Sequence, residues 1–433
     1  MVFVLSTIVY LAFGVLVLQI ISKASGYTPV NPFMKKVVSQ YESDSIPTQL
    51  EKRDLYQVFF YAFLFRVLLL VASAIAVRIF MTDSESLTFS TFLDHIRQWD
   101  AKNYIGIAEK GYANHLENGK PIFLVFFPVY SWLMRGLSYI IPSYEVCGII
   151  ISIICYCFGC CYLYAMVAGD YSKGVAKKSV IYLSIFPFAF HFGGIMTESV
   201  FFLTSVASLY HIRKHQWLRM MIWGAVCALS RMHGLLLLIA AGVEMCEVYQ
   251  PLRLLREEQG KEFLGFLRTK AIYLLGIPVG TLIYLYINYA ITGNPFMFTK
   301  YQKEIWYQGS TWFTNTLTYV VENALTASPM GMVRASIWIP ELTIFILALG
   351  TIVYGLKRHS NTYLSYLFVY LILNYSLTWV ISGGRYMSVC IPMFIIWAEY
   401  ADRHETADRV ITIVSALFMG IYLTGFLFTR QII

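Results

Sequence analysis

Asp100 belongs to the segment Trp99-Asp100-Ala101, which continues to Ile107-Ala108 and Gly111-Tyr112 and is flanked by strongly apolar stretches. A carboxylate at the border of a lipid-embedded region is costly unless it is used, which makes it the first candidate for chemistry. Forming a bond to a hydroxyl oxygen needs a group that takes the hydroxyl proton as the bond forms. A partly desolvated carboxylate within hydrogen-bond reach does this. Trp99 adds a flat apolar face on which a sugar ring can stack, and a ring N–H donor. A second reading stands beside this one. Asp is a favoured helix N-cap, and a helix starting at Ala101 would use Asp100 in that way.

Glu198, in Thr197-Glu198-Ser199, lies between two apolar runs. A charge centred in a membrane helix costs about 2.5–3.5 kcal/mol on insertion scales, so Glu198 is expected at a membrane edge or a polar cavity. There it would hold an acceptor hydroxyl, pair with a base, or simply fill a polar turn. Arg231 and His233, in Ser230-Arg231-Met232-His233-Gly234, are the most telling basic pair. A guanidinium fork suits a phosphate and the imidazole adds a second donor; snorkelling of Arg231 to the interface is the plainer alternative. Arg385-Tyr386 follows Ser382-Gly383-Gly384 and is a second phosphate-binding candidate or an interface anchor. Tyr112 and Tyr130, the latter in Phe126-Phe127-Pro128-Val129-Tyr130, are candidates for a groove wall or an aromatic belt. Asp94, His95 and Arg97 read as solvated loop residues.

These residues need a membrane scaffold. The chain has 433 residues, of which 58% are hydrophobic and 13% charged. A soluble domain carries about 25% charged residues, and the mean hydropathy here is +0.60, so the chain is an all-α polytopic membrane protein. Aromatics reach 17%, enough for interfacial belts and a lipid or sugar groove. The net charge of +8 comes from Lys and Arg scattered through short loops, which is a topology signal and excludes nucleic acid as a partner. The eight Cys have no metal-ligand spacing, and four of them (Cys155, Cys157, Cys160, Cys161) sit in one apolar run as small hydrophobes. No Walker-type loop, H-E-x-x-H or D-x-D pair occurs, so neither a metal site nor another cofactor is expected.

A bilayer-crossing helix needs about 20 apolar residues. Candidate spans fall at 1–22, 55–81, 145–168, 179–195, 197–213, 272–291, 336–356, 361–381, 386–401 and 409–428, and the first reads as a retained helix rather than a cleaved signal. Residues 218–249 read as a hairpin of two short runs whose tip is Ser230–Gly234, while 121–141 is a juxtamembrane or re-entrant element. With the basic loops 23–54, 169–178, 211–219, 250–270, 357–360 and 402–409 on the cytoplasmic side, about twelve spans result, with both termini outside. The Asp100 loop, Glu198, the Arg231–His233 tip, 292–335 and Arg385 then share one non-cytoplasmic face. The aromatic stretch Lys300–Tyr307 is expected to lie on the surface and roof that site. Residues 1–54 form an additional N-terminal helix and loop ahead of a catalytic domain at 55–433.

The ordered set Trp99-Asp100-Ala101, Ile107-Ala108, Gly111-Tyr112, Phe127-Pro128-Val129-Tyr130, Thr197-Glu198-Ser199 and Ser230-Arg231-x-x-Gly234 resembles the PIG-V family of GPI mannosyltransferase II type and its bacterial relatives. Ser131 stands where that family often has Pro, and His233 where it has another small or polar residue. The resemblance implies a GT-C-type glycosyltransferase fold, with juxtamembrane helices on the non-cytoplasmic face. It also implies a polyprenyl- or dolichyl-phosphate mannose donor, and Asp100 as base of an inverting transfer to a glycolipid or cell-envelope glycan. The membrane would be the plasma membrane in a bacterium and the endoplasmic reticulum in a eukaryote. The alternatives are a lipid or glycolipid transporter and an envelope-glycan ligase using a lipid-diphosphate donor.

Overall fold

A computed structural model describes residues 1–40, 50–80, 88–326 and 331–428; part of the basic loop expected at 23–54 therefore lies outside the described residues. The described chain is helical, with α1 Val2–Ser25, α2 Lys52–Phe80, α3 Phe89–Ile96, α4 Ala101–Lys110, α5 Pro128–Ser138 and α6 Tyr144–Asp170 leading in. Then follow α7 Lys173–Ile185, α8 Glu198–Arg213, α9 Trp217–Ser230, α10 Leu237–Tyr249, α11 Ile277–Thr292 and α12 Met297–Glu304. The C-terminal part holds α13 Ile339–Gly355, α14 Asn361–Asn374, α15 Gly383–Met387, α16 Ile391–Asp402 and α17 Glu405–Leu427.

Among the described residues, seven helices are long and apolar enough to cross a membrane: Val2–Ser25, Lys52–Phe80, Tyr144–Asp170, Met232–Tyr249, Gly260–Thr292, Arg334–Gly355 and Glu405–Leu427. They match six of the expected spans and one arm of the expected hairpin. The remaining apolar runs form shorter helices. α7, α8, α9, α14 and α16 have 13, 16, 14, 14 and 12 residues. At about 1.5 Å per residue they cover about 18–24 Å, short of a hydrocarbon core of about 30 Å. Seven described helices are thus long enough to cross, where about twelve spans were expected. At the start of α8 and the end of α9 the reason is local, because the buried charged side chains of Glu198 and Arg231 turn inward there. Irregular backbone at such depth is tolerated only inside protein or beside a cavity.

Each break has an identifiable cause. α9 ends because Arg231 takes an extended conformation (φ −160°, ψ 150°) that sends its side chain to the start of α8. Gly234 then folds back onto the Cys227–Ala228 backbone, where a Cβ would overlap Ala228 N. α15 and α16 are separated by Ser388–Cys390, and Pro392 starts the latter. Pro128 likewise starts α5, whose 11 residues are too few to cross, as expected for 121–141. α1 packs along α10 and α14, with the buried Gln19 side chain donating to Leu356 O at 2.8 Å.

Candidate active site

Four helix ends meet at one point. Asp100 precedes α4, Glu198 opens α8, Arg231 follows α9, and Arg385 lies in the short α15. Arg385, 2% exposed, donates from Nη1 to Asp100 Oδ2 at 2.7 Å and from Nε to Glu198 Oε1. Arg231 donates from Nη2 to the same Glu198 Oε1 and from Nε to Thr197 Oγ1 at 2.8 Å. One fully buried carboxylate therefore pins two guanidiniums, and one of these orients Asp100. Two negative and two positive charges balance, which makes so deep a cluster tolerable. Glu198 also gains from its place in the first turn of α8, where the helix dipole favours a negative charge.

The cluster is not fully satisfied. Among the described residues Glu198 Oε2, Arg231 Nη1 and His233 Nε2 are buried without hydrogen-bond partners. Each such group costs about 1–3 kcal/mol, an expense that most buried polar atoms avoid. Arg231 and His233 both lie against Tyr386, the guanidinium 5.4 Å above its ring and the imidazole stacked at 5.7 Å. Two unmet nitrogens thus flank one aromatic ring beside a carboxylate whose side chain remains 34% exposed.

Asp100 does not cap α4: its side chain makes no capping hydrogen bond and turns to Arg385 instead. Trp99, just before it, has φ +51° and is 36% exposed. A left-handed backbone at a bulky residue costs roughly 1–3 kcal/mol and persists where the surroundings enforce it. Its effect here is to direct the indole outward and the carboxylate inward.

The other expected residues divide. Tyr386 and His233 join the cluster. Tyr112 and Tyr130 are buried, and their hydroxyls are taken by protein: Tyr112 donates to Phe126 O at 2.5 Å, and Tyr130 to Gly148 O at 3.0 Å beside Ser152 Oγ at 3.0 Å. They brace α4 through Tyr104, which meets Tyr130 edge-on at 5.5 Å and Phe126 at 5.2 Å. Arg135 holds the far end of α4, donating to Ala108 O at 2.7 Å. His115 stacks on Phe123 at 3.9 Å and fills the space beside Gly106. Burial pushes its pKa below the usual imidazole value. Asp94, His95 and Arg97 belong to a helix and its end rather than a loop, with Asp94 and Arg97 still solvated. Asp94 and His95 lie on α3 and Arg97 ends it; Arg97 pairs with Asp94 at 2.7 Å and Glu145 at 3.2 Å, and His95 with Leu427 O at 2.8 Å.

Glu341 is the contributor that sequence reasoning missed. Its carboxylate accepts from Gly383 N at 2.6 Å and from the Tyr375 hydroxyl at 3.1 Å, fixing the turn that projects Arg385. Any Cβ at Gly383 would overlap that carboxylate, and one at Gly384 would overlap Phe188. The available signal was a lone acid at the start of the apolar run 336–356. Of the stretch expected as a roof, α12 packs against Ile122–Val125, and the segment after it is laced to the chain leading to Arg385: Gln308 Nε2 donates to Trp379 O at 3.1 Å, and Trp379 Nε1 to Tyr307 O at 2.8 Å. Among the described residues no group of His, Cys, Asp and Glu has the arrangement of a metal site.

Residues 120–253 match the family model of dolichyl-phosphate-mannose-protein mannosyltransferases, PMT_2. The matched segment is about a third of the chain; it contains Glu198, Arg231 and His233 and leaves Asp100 and Arg385 outside. No curated protein matches the chain.

Proposed function

We propose that the protein is a membrane glycosyltransferase that moves mannose from a polyprenyl- or dolichyl-phosphate carrier to a hydroxyl of a glycolipid or envelope glycan, on the non-cytoplasmic face. The single observation that carries this reading is the half-open carboxylate of Asp100, held by Arg385 at 2.7 Å beside two buried nitrogens without partners among the described residues, Arg231 Nη1 and His233 Nε2. The family match of residues 120–253 supports the donor class, and the ordered motifs from Trp99 to Gly234 support a PIG-V-like GT-C enzyme.

In this mechanism the sugar stacks on Trp99. Asp100 takes the acceptor hydroxyl proton while the acceptor oxygen bonds to the sugar's anomeric carbon. The carbon–oxygen bond to the phosphate breaks in the same step, and the electron pair leaves with the lipid phosphate. Attack from the face opposite the phosphate inverts the anomeric centre. Arg231 and His233 donate to the departing phosphate, whose charge grows as the bond breaks; groups aimed at developing charge contribute most in a site that excludes water. Arg385 is a positioning residue: it aims Asp100 and is itself aimed by Glu198. No step calls for a metal.

The test is transfer by the purified chain from radiolabelled polyprenyl-phosphate mannose to candidate acceptors, with Asp100→Asn alongside. Wild type is expected to form product, and the variant to lose about 10²–10⁴-fold in kcat while binding donor normally. A variant within tenfold of wild type would remove Asp100 as the base. Movement of intact lipid across vesicles without sugar transfer would favour the transporter reading.

A further inference from the structure

Arg66 stands midway along α2 and is 1% exposed. Nη1 donates to Ala189 O at 2.8 Å, Nη2 approaches Ser184 O at 3.5 Å, and Nε is buried without a partner. The guanidinium lies 3.9 Å from the centre of the Tyr156 ring. Among the described residues no carboxylate pairs with it, unlike Arg231 and Arg385. A cation–π contact offsets roughly 2 kcal/mol or somewhat more when desolvated, against a penalty of several for burying the charge. This arginine carries an uncompensated positive charge inside a membrane helix.

It also closes the inner end of a crevice. The walls are Leu69 and Leu70 of α2, Phe190 and Gly194 of the segment before α8, and Leu423 and Phe426 of α17. α2 and α17 are both long and apolar enough to cross a membrane, so the mouth between them faces hydrocarbon. The empty volume is about 370 Å³ including the mouth. Behind the crevice lies the turn Ala189–Gly193, whose His191 is 1% exposed with both ring nitrogens unpartnered. His191 is within electrostatic reach of Arg385, Glu198 and Arg231. The same turn is bonded to α8, Ser199 Oγ donating to Phe192 O at 2.8 Å. Arg66 beside the notch, His191 in the turn behind it, and Glu198, Arg231 and His233 in the cluster at Asp100 all carry polar atoms left unmet among the described residues.

We propose that this crevice is the membrane-side inlet of the site, and that Arg66 is the first docking group for the phosphate of a single-chain lipid carrier. The carrier's chain lies along Leu69, Leu70 and Leu423, and its phosphate then passes the 189–193 turn to Arg231. Room for water within the crevice is only about 30 Å³, so the outer end of α17 must part from α2 to admit the lipid. The destination of the phosphate rests on the glycosyltransferase reading; the docking at Arg66 does not.

The experiment uses the full chain in neutral phosphatidylcholine nanodiscs with a polyprenyl phosphate that carries a diazirine on its first isoprene unit. After irradiation, labelled residues are mapped by mass spectrometry. Label is expected on the Leu69–Leu70 and Leu423–Phe426 walls. It should be competed by unlabelled polyprenyl phosphate, not by equal phosphatidylglycerol, and be at least tenfold lower in Arg66→Gln. Leu70→Trp, which plugs the mouth without touching the guanidinium, should also lower it, whereas Arg66→Lys should keep most of it. Label confined elsewhere, label unchanged in both Arg66→Gln and Leu70→Trp, or equal competition by phosphatidylglycerol would overturn the inlet. Sugar transfer without crevice labelling would sink the inlet and leave the transferase; crevice labelling without transfer would do the reverse.

Discussion

Helix α8 carries an ionic cluster at each end, and the two differ most in how fully they are satisfied. At its C-terminal end Arg213 donates to Asp170 at 2.8 Å and to both oxygens of Glu244 at 2.9 and 2.8 Å. The Tyr363 hydroxyl donates to Asp170 at 2.6 Å and Thr362 to Glu244 at 2.5 Å, while His215 Nε2 lies 3.0 Å from Glu244. No side-chain atom of Asp170, Arg213 or Glu244 is buried without a partner. At the N-terminal end Glu198 serves two arginines through one oxygen, and its other oxygen has no partner. Sixteen residues separate the clusters, about 24 Å at helical rise. The N-terminal cluster sets two carboxylates against two guanidiniums, and the C-terminal one sets two carboxylates against Arg213 and the imidazole of His215. Completeness is the sharper difference: a fully satisfied network rigidifies the helices it joins, whereas the unmet atoms at the N-terminal end are those that the proposed phosphate would satisfy.

The largest test of this contrast replaces each arginine by lysine. Arg385→Lys cannot reach Asp100 and Glu198 together with a single ammonium, so turnover should fall about 10²-fold or more at equal folded protein. Arg213→Lys should lower the thermal midpoint in detergent and keep turnover within twofold. Equal kinetic damage at both sites would dissolve the distinction. Arg231→Gln should come next, weakening donor binding by about 10–100-fold, as expected for charge-assisted hydrogen bonds of about 1.5–3 kcal/mol. Unchanged donor affinity, read by titration with a fluorescent polyprenyl phosphate, would remove its phosphate role.

Trp99 provides a subtler probe because strain and stacking pull apart. Trp99→Gly should be more stable than Trp99→Ala by about 1 kcal/mol, since glycine accepts the positive φ, while both raise KM for the sugar donor. If the alanine variant is the more stable of the two, the backbone is not strained there. Smallest of all, Tyr112→Phe should cost about 1 kcal/mol of stability from its lost bond to Phe126 O and leave kinetic constants unchanged. A rise in KM would return Tyr112 to the substrate site.

Much of the scaffold was legible because long apolar stretches have few alternatives in a bilayer. α1, α2, α6 and α17 fall where hydropathy puts them. Asp100, Glu198, Arg231 and Arg385 were equally visible, since ionisable residues among apolar ones stand out by their cost. Glu341 escaped because an acid just after Pro340 reads as the ordinary start of a helix. Tyr112 and Tyr130 were ambiguous for a related reason: an aromatic in a motif has the same appearance whether it faces a substrate or, as their bonded hydroxyls show here, braces a helix.

The amino-acid order by itself determined the membrane class, the identity of the costly side chains and the glycines at 234, 383 and 384 that later proved to touch their neighbours. Only the three-dimensional arrangement decided that Asp100 turns to Arg385 rather than capping α4, that Glu198 holds both arginines, and that Arg66 meets no carboxylate among the described residues. The physical reason is that burial cost belongs to each residue alone, whereas partnership depends on which helix ends meet across more than 280 positions of chain, as with Asp100 and Arg385.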